Sequence, residues 1–368
     1  MTGLEHNKGG DLSPRRIPRI GLVAGRNGVP LFALFLRGLS QPQRRELRSL
    51  EQAESLRAQS GAPLDAAAWR AVEAFFLCGG SQAHVLLLPL GDGSFEALVG
   101  EDRGLSHRSG LQGVRNWLEK ADLLLIPQAS ELVPADQYVG FCSKVFELLG
   151  DDQDMIFLGD LPLSMSLADA EGFSRGLFCP DAAFFYPWLV CGGQPVPASV
   201  AVAAWLQRAD QEVGIQELAT QIPLAAGVSP LQDISATGRE RLLNARINTF
   251  LWDRGVTRVW GGYTLADRAN WRGRLIPLRR SCVKLRHAVE QVCEPFVLEA
   301  AGEELPVWVE NSLQNFLRSV RPLFQRDLQE PFQTAVTLVE MKGEQRLQVQ
   351  VQYALPHSLE RFSLSFVA

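Results

Sequence analysis

Short apolar segments alternate with longer amphipathic ones along the first half of the chain. Segments rich in β-branched and large apolar residues are predicted strands: Ile20–Ala24, Val29–Leu36, Ala83–Leu90, Asp122–Ile126, Met155–Gly159 and Ala182–Tyr186. The clearest helix between them is Asp65–Cys78, which has an Asp at its N-cap and is followed by Gly79 and Gly80. This alternation predicts an α/β layer with a largely parallel sheet.

The second half of the chain has a different pattern and is predicted to be α+β. After Pro197 a helix is expected over 198–213, and a tight hairpin is expected to join Ile247–Trp252 to Thr257–Trp260. Two further amphipathic helices are predicted at Ser281–Val292 and Trp308–Arg321. The C-terminal residues become strand-like, with Phe332–Met341 followed by two segments of strictly alternating apolar and polar residues.

These patterns divide the chain into four predicted parts. They are a polar N-terminal tail (1–19), an N-terminal α/β domain (20–194), a C-terminal core domain (195–340) and a C-terminal β arm (341–368). The expected fold is a mixed sheet flanked by helices in a two-part subunit, with the arm extending from it.

Composition excludes several classes of protein. The chain has 368 residues, 46% of them hydrophobic, and a net charge of −5, so it is long and apolar enough to bury a large core. Its apolar runs are too short for a membrane-spanning helix, and its polar first 20 residues do not resemble a secretory signal. The mixed charges of Gln43–Gln59 indicate a solvated helix face rather than a nucleic-acid contact. Six scattered cysteines indicate reduced, packed thiols.

The search for catalytic chemistry yields one candidate. The sequence contains no phosphate-binding loop, dinucleotide fingerprint, nucleophile elbow or zinc motif, so no cofactor, metal or catalytic residue is assigned. Asp160 follows a predicted strand, at the end of the sheet where α/β enzymes bind ligands. An enzyme using Asp160 and a His as acid–base groups therefore remains an alternative, although the following Leu161 and Pro162 favour a turn-forming Asp.

Several segments resemble the tail sheath proteins of contractile phage tails and related injection systems. The segments, in the order in which they occur, are Ala71–Val85 with its helix, Gly-Gly and strand, Ala121–Pro127, Ile156–Pro162, Asp181–Tyr186, Pro195–Ala203 and Ile247–Leu265. The last of these is the most specific, because it contains Arg-Val-Trp-Gly-Gly-Tyr-Thr-Leu at 258–265. Together the segments cover most of the chain from Ile20 to Val367.

The resemblance implies a structural protein and not an enzyme. Sheath subunits polymerise as stacked rings, here expected to contain six subunits, around an inner tube, and they contract to drive the tube through a target envelope. The implied partners are further copies of the chain, the inner tube protein, and baseplate and tail terminator or cap proteins, with no nucleic acid and no membrane insertion. Assembly is expected in the cytoplasm, as part of a phage-tail-like particle that is released in some systems.

One departure from the family pattern leaves an alternative open. Sheath subunits often begin with an extended arm that carries a Pro-Gly-Val-Tyr type motif, whereas only a polar stretch precedes Ile20 here. The chain is therefore either a main sheath subunit or a specialised ring near the baseplate or cap.

The resemblance also suggests two contact sites. Strand exchange between subunits would use the C-terminal alternating segments, with Leu347, Val349, Val351, Tyr353, Phe362, Leu364 and Phe366. Their neutral partners Gln348, Gln350 and Gln352 favour a paired edge over an exposed one, although an ordinary terminal hairpin is an equal alternative. Contact with the inner tube would use Arg318, Arg321 and Arg326, which otherwise serve as solubilising charges.

Overall fold

The computed structural model describes most of the chain beyond residue 27. The described residues are 28–60, 66–104, 108–150, 155–215, 219–267, 273–296, 302, 304–321, 329–341, 344–355 and 358–367. The predicted strand Ile20–Ala24 and the candidate Arg326 lie outside these ranges. Among the described residues the chain forms two compact units, which divide between Lys284 and Leu285.

The larger unit contains two β-sheets and most of the helices. Its strands are β1 (Pro30–Leu36), β2 (Gln43–Leu47), β3 (Ala83–Pro89), β4 (Leu123–Leu125), β5 (Ile156–Asp160), β6 (Ala182–Phe185), β7 (Leu189–Cys191), β8 (Gln194–Val196), β9 (Ser229–Pro230), β10 (Ile247–Asp253) and β11 (Val256–Trp260). Its helices are α1 (Leu50–Ser60), α2 (Ala66–Leu77), α3 (Phe95–Val99), α4 (Ala129–Leu132), α5 (Tyr138–Leu149), α6 (Leu167–Phe173), α7 (Ala198–Glu212) and α8 (Ala236–Asn244), with a 3-10 helix at Gly110–Lys120. Helix α9 (Ile276–Cys293) begins in this unit and ends in the smaller one.

The main sheet is mixed and has eight strands in the order β11-β10-β6-β5-β4-β1-β3-β2. The six inner strands are parallel to their neighbours, whereas the edge strands β11 and β2 run antiparallel to theirs. The strands β7, β8 and β9 form a second, small antiparallel sheet. The parallel sheet that the alternating pattern predicts is therefore confirmed, with an antiparallel strand added at each edge.

Two hydrophobic cores lie on the two faces of the main sheet. On β1, Phe32 and Leu34 face one core together with residues of α2 and α7, whereas Leu31 and Phe35 face the other together with residues of α5. Strands buried on both faces need apolar side chains at every position. This explains why the strands appear in the sequence as continuous apolar runs.

One predicted element is wrong, because the segment Gln43–Gln59 is not a single helix. Its first five residues form the edge strand β2, in which Glu46 lies opposite His84 of β3, and α1 begins only at Leu50. Pairing with β3 overrides the local helix preference of the charged residues. The charges of β2 are accommodated because one side of an edge strand faces solvent.

The main sheet crosses residue 195, where the sequence predicts a domain boundary. Strands β6 and β10 lie on opposite sides of this boundary in the sequence, yet they pair in parallel, with Ile247 opposite Phe184. Residues before and after 195 thus share one sheet. The described chain divides instead within α9, about 90 residues later.

In its described residues, the smaller unit consists of the end of α9, helix α10 (Leu305–Ser319), a short 3-10 helix (Glu294–Phe296) and three strands. The strands β12 (Phe332–Met341), β13 (Glu344–Leu355) and β14 (Ser358–Val367) form a sheet with β13 in the middle. The antiparallel pair β12–β13 has ten residue pairs, from Phe332 opposite Tyr353 to Met341 opposite Glu344. In the described part of the chain, no helix combines the length and apolarity that crossing a membrane requires.

The Gly-Gly after α2 supplies a test of packing in the larger unit. A Cβ atom on Gly80 would lie 2.3 Å from the ring of Phe75, which is itself packed edge-on against Phe32. We expect Gly80→Ala to lower the free energy of unfolding by about 1–3 kcal/mol, because the ring has no room to retreat. Denaturant titration measures this change.

The matched control is Gly140→Ala, in the exposed part of α5. A Cβ atom there would meet nothing within 4 Å, so the variant should be as stable as the wild type or gain up to about 1 kcal/mol from helix propensity. Equal stability of the Gly80→Ala variant and the wild type would show that the ring moves freely.

Candidate assembly surfaces

Asn248 holds the Trp-Gly-Gly-Tyr stretch beside the edge of the main sheet. Its side chain is fully buried and accepts hydrogen bonds from the backbone amides of Gly262 and Tyr263, at 2.7 and 2.8 Å. It also donates to the carbonyl oxygens of Phe184 and Tyr263, at 3.1 and 2.8 Å. The amide has no unsatisfied donor, and it ties this stretch to two strands of the sheet.

Gly261 makes this arrangement possible. Its φ of +132° lies in a region that favours glycine, and a Cβ atom would come within 2.6 Å of Oδ1 of Asn248. The stretch follows β11, where Trp260 is exposed, and Trp252 on the neighbouring β10 is also exposed. Trp260 lies opposite Thr249 and Trp252 lies opposite Thr257, so the two indoles occupy opposite faces of the hairpin.

Three ion pairs fix the N-terminal part of α9 within the larger unit. Arg280 forms a two-pronged pair with Asp210 of α7, at 2.9 and 2.5 Å, and both side chains are only 2% exposed. Arg279 likewise pairs through two nitrogens with Asp181, which precedes β6. Lys284 lies 2.7 Å from Asp122, whose carboxylate also accepts from the amide of Gly28. Helix α9 is thereby bound to three separate segments of the chain.

The C-terminal strands place the predicted exchange residues in two different settings. Leu347, Val349, Val351 and Tyr353 are buried on one face of β13, and β13 is paired on both sides. The other face carries Gln350 and, on β12, Ala335 and Thr337, which are exposed. Phe362, Leu364 and Phe366 belong to β14, whose backbone forms one edge of this sheet, and their side chains lie outside the described part.

Helix α10 packs on this sheet and carries the candidate Arg318, and Arg321 follows two residues after the helix ends. Its apolar stripe, which includes Val309, Leu313 and Phe316, is buried. Arg318 is exposed and is held by Gln314 and Asn315 of the same helix, and Arg321 donates to the carbonyl oxygen of Gln329. At the other end of the helix, Val307 and Trp308 are 58% and 43% exposed. The helix thus presents an apolar end and a basic end to solvent.

Asp160, the candidate catalytic residue, is an internal helix cap. Its buried carboxylate accepts from the backbone amide of Ser199 at 2.7 Å and from the Ser199 hydroxyl. These groups lie in the first turn of α7, where Pro197 at the N-cap has no side chain able to accept a hydrogen bond. Burial raises the pKa of Asp160 to about 7, and the hydrogen bonds from Ser199 and from the Ala198 amide oppose this rise. The turn-forming role predicted for Asp160 is replaced by a long-range cap.

Comparison with solved structures gives matches along nearly the whole chain. The sheath complex of PVC, an extracellular contractile injection system, in its contracted state has a TM-score of 0.70 at 18% identity, covering 97% of this chain and 96% of that one. A chain of the anti-feeding prophage baseplate has a TM-score of 0.68 at 19% identity, covering 99% of both. The sheath tail protein of Desulfitobacterium hafniense has a TM-score of 0.61 at 11% identity, covering all of both chains.

The chain has the contractile sheath fold. The resemblance found in the sequence is confirmed at the level of fold, and it extends over both compact units. Neither a protein-family model nor a curated protein matches the sequence. At 11–19% identity the likeness rests on architecture rather than on side chains.

One feature of this sheath fold was not predicted from the sequence. A cleft of about 440 Å³ is lined by Phe178, Arg175, Arg241 and Arg246, with Glu171 and Asp267 as acidic members. Arg246 lies over the Phe178 ring at 4.9 Å and donates to the carbonyl oxygens of Leu265 and Ser174. Glu171 and Asp267 of its lining are 96 positions apart in the sequence, so no local sequence pattern predicts the cleft.

The Asp160 cap predicts a specific pH dependence of stability. Because its pKa is about 7 in the folded chain and near 4 in the unfolded chain, the folded chain holds more protons between these values. The contribution of this group to stability is thus present at low pH and is lost as the pH rises from about 4 to 7. The loss amounts to about 1.4 kcal/mol for each unit by which the pKa is raised.

We expect Asp160→Asn to remove this pH-dependent contribution to stability. The amide of Asn still accepts a hydrogen bond from Ser199, but it does not titrate. The measurement is urea denaturation of both proteins across that pH range, and the difference between their free energies of unfolding should vary with pH. Asp136→Asn, at an exposed position, is the control and should track the wild type. If the free energies of unfolding of Asp160→Asn and the wild type differed by the same amount at every pH, the pKa assigned to Asp160 would be wrong.

Proposed function

We propose that this protein is a structural subunit of a contractile tail sheath. It would polymerise as stacked rings around an inner tube and contract to drive the tube through a target envelope. The observation that carries the proposal is the match in fold to a chain of a contracted sheath complex. This match covers 97% of this chain and 96% of that one. A match over both compact units supports a shared assembly role more strongly than a match of one common domain would.

Strand exchange is the proposed link between subunits. The C-terminal sheet has a ten-residue strand at each edge, β12 and β14, and an edge strand is a template for pairing with another chain. About six backbone hydrogen bonds at roughly 0.5–1.5 kcal/mol each would contribute about 3–9 kcal/mol per link. In this scheme β14, with Phe362, Leu364 and Phe366, moves between subunits. The residues of β13 form the surface that receives it.

The proposed partners follow from this assembly. They are further copies of the chain, about six per ring, the inner tube protein, and baseplate and terminator proteins. Arg318 and Arg321 are proposed to face the tube. A single exposed ion pair contributes only about 0–1 kcal/mol, but each ring repeats it on every subunit. Assembly is proposed to occur in the cytoplasm, with the particle acting outside the cell.

A second candidate is a specialised ring next to the baseplate. The observation that favours it is the match to a chain in the anti-feeding prophage baseplate, over 99% of both chains. A protein of this kind would form a single ring instead of a long polymer. The two candidates therefore differ in the size of the assembly they form.

Negative-stain electron microscopy of the purified chain across a concentration series tests the proposal. We expect hollow helical tubes whose length grows with concentration. Single rings would support the baseplate candidate instead. Monodisperse monomers at all concentrations, also after addition of the inner tube protein, would contradict both.

Removal of β14 tests strand exchange. We expect a chain ending at Leu355 to remain folded and to lose polymerisation, because the truncation spares β12, against which α10 packs, and its paired strand β13. Circular dichroism and sedimentation velocity measure the two properties. Gln350→Lys on the exposed face of β13 is the control for surface changes in this sheet. Tubes formed by the truncated chain would refute exchange through β14 without refuting the sheath function.

Charge reversal tests the tube-facing surface. We expect Arg318→Glu with Arg321→Glu to weaken co-sedimentation with the inner tube protein by at least about tenfold, because attraction becomes repulsion on every subunit. Arg254→Glu, in the exposed turn between β10 and β11, is the matched control and should bind normally. If the double variant bound the tube as well as the wild type, Arg318 and Arg321 would not be part of the proposed interface.

A further inference from the structure

Two cysteines that are far apart in the sequence meet within the larger unit. The sulfur atoms of Cys78 and Cys191 lie 3.8 Å apart, although 113 positions separate the residues. Both are free thiols in this structure. Cys78 is 1% exposed and Cys191 is 8% exposed, so one thiol of the pair is closer to solvent than the other.

The backbone around each cysteine is fixed by hydrogen bonds. Cys78 follows the last residue of α2 and donates to the carbonyl oxygen of Ala74, and the next two glycines also donate back into the helix. Cys191 ends β7 and pairs with Gln194 of β8. The two glycines between them have φ values of +59° and +76°, which form a tight turn. The approach of the two sulfurs is thus a property of the fold.

The two thiols differ in reactivity. The Cys78 thiol donates a hydrogen bond to the Cys191 sulfur, which lowers the pKa of Cys191 below its usual value, whereas this bond and burial raise the pKa of Cys78. The thiolate is the nucleophilic form of a cysteine. The turn beside Cys191 is also open, because a Cβ atom on Gly192 or Gly193 would meet nothing within 4 Å. Cys191 is therefore the thiol that a small oxidant reaches first.

We propose that Cys78 and Cys191 form an oxidation-sensitive pair that peroxide converts into an intramolecular disulfide. The Cys191 thiolate attacks one oxygen of hydrogen peroxide, so that an S–O bond forms, the O–O bond breaks and hydroxide leaves. The Cys78 sulfur then attacks the Cys191 sulfur, the S–S bond forms, and the second oxygen leaves as hydroxide. The protons lost by the two thiols convert both hydroxides to water, and peroxide has taken up two electrons.

The required movement is small. A disulfide has an S–S distance of about 2.05 Å, so the sulfurs have to approach by less than about 2 Å from their separation of 3.8 Å. The new bond would join the end of α2 to the β7–β8 hairpin and close a long loop of the unfolded chain. Cross-links that close long loops stabilise chiefly by restricting the unfolded state. The inference does not depend on the proposed function, since both cysteines lie in one compact unit of one chain.

Peroxide treatment of the purified full-length chain tests the proposal. We expect the intact mass to fall by two hydrogen atoms and non-reducing peptide mapping to join the Cys78 and Cys191 peptides. The melting temperature should rise by roughly 5 °C. Dithiothreitol should reverse both changes, which separates a disulfide from sulfinic acid.

Two variants and one internal control sharpen the test. Cys191→Ser and Cys78→Ala should each abolish the cross-link, and Cys78→Ala should leave Cys191 as a trappable sulfenic acid. Cys179 serves as the control because it is 7% exposed, close to the value for Cys191, while burial raises its pKa to about 12. It should stay reduced. Oxidation of Cys179 at the same rate, or sulfinic acid at Cys191 in the wild type without a cross-link, would overturn the proposal.

Discussion

The buried pair of Arg280 and Asp210 is the interaction on which the arrangement of the larger unit depends. Removing one partner of such a pair costs about 3–5 kcal/mol, because an uncompensated charge is left in the interior. The pair fixes α9 against α7, and α7 in turn lies on one face of the main sheet. Arg279 and Lys284 extend the same attachment to the segments before β6 and β4. Helix α9 is thereby joined to α7 and to the segments that precede β6 and β4.

Buried polar groups at the ends of the parallel strands are likewise paired with residues that are distant in the sequence. Asp160 at the end of β5 caps α7, and Asn248 on β10 binds the turn after β11. Both side chains satisfy backbone amides that have no partner in their own element. Positions that carry ligands in many α/β enzymes are here occupied by structural hydrogen bonds.

The sequence predicts some features of this fold well, because they are encoded locally. Strands buried on both faces appear as apolar runs, α2 carries its stop signal in Gly79 and Gly80, and the hairpin of β10 and β11 is marked by its Asp-Arg-Gly turn. Features that depend on the pairing of strands cannot be predicted from the local sequence. The charged pattern of the edge strand β2 predicts a helix, because only its pairing with β3 makes it a strand.

The candidate sites also depend on contacts between distant residues, which the local sequence does not predict. The alternation of β13 predicts a strand with one buried face, yet its central position depends on where β12 and β14 pair. The cap that Asp160 provides involves a serine 39 residues away, and the Cys78–Cys191 approach spans 113 positions. Spacing along the chain carries no signal for either. The order of several motifs, rather than any single residue, pointed to the sheath fold.

The outward face of β12 and β13 has a consequence for how an assembly responds to salt. Positions 333, 335 and 337 of β12 and 348, 350 and 352 of β13 carry glutamine, threonine or alanine, and the half-exposed Arg346 lies at one end of this face. Contacts with the six neutral residues are uncharged. Charged contacts beyond about 8 Å are screened at physiological ionic strength, whereas neutral ones are not. In the proposed sheath, subunit links made by backbone hydrogen bonds at the edge of this sheet would persist at high salt, whereas the contacts of Arg318 and Arg321 would weaken. Ionic strength would then weaken the proposed contact with the tube before it weakens the proposed links between subunits.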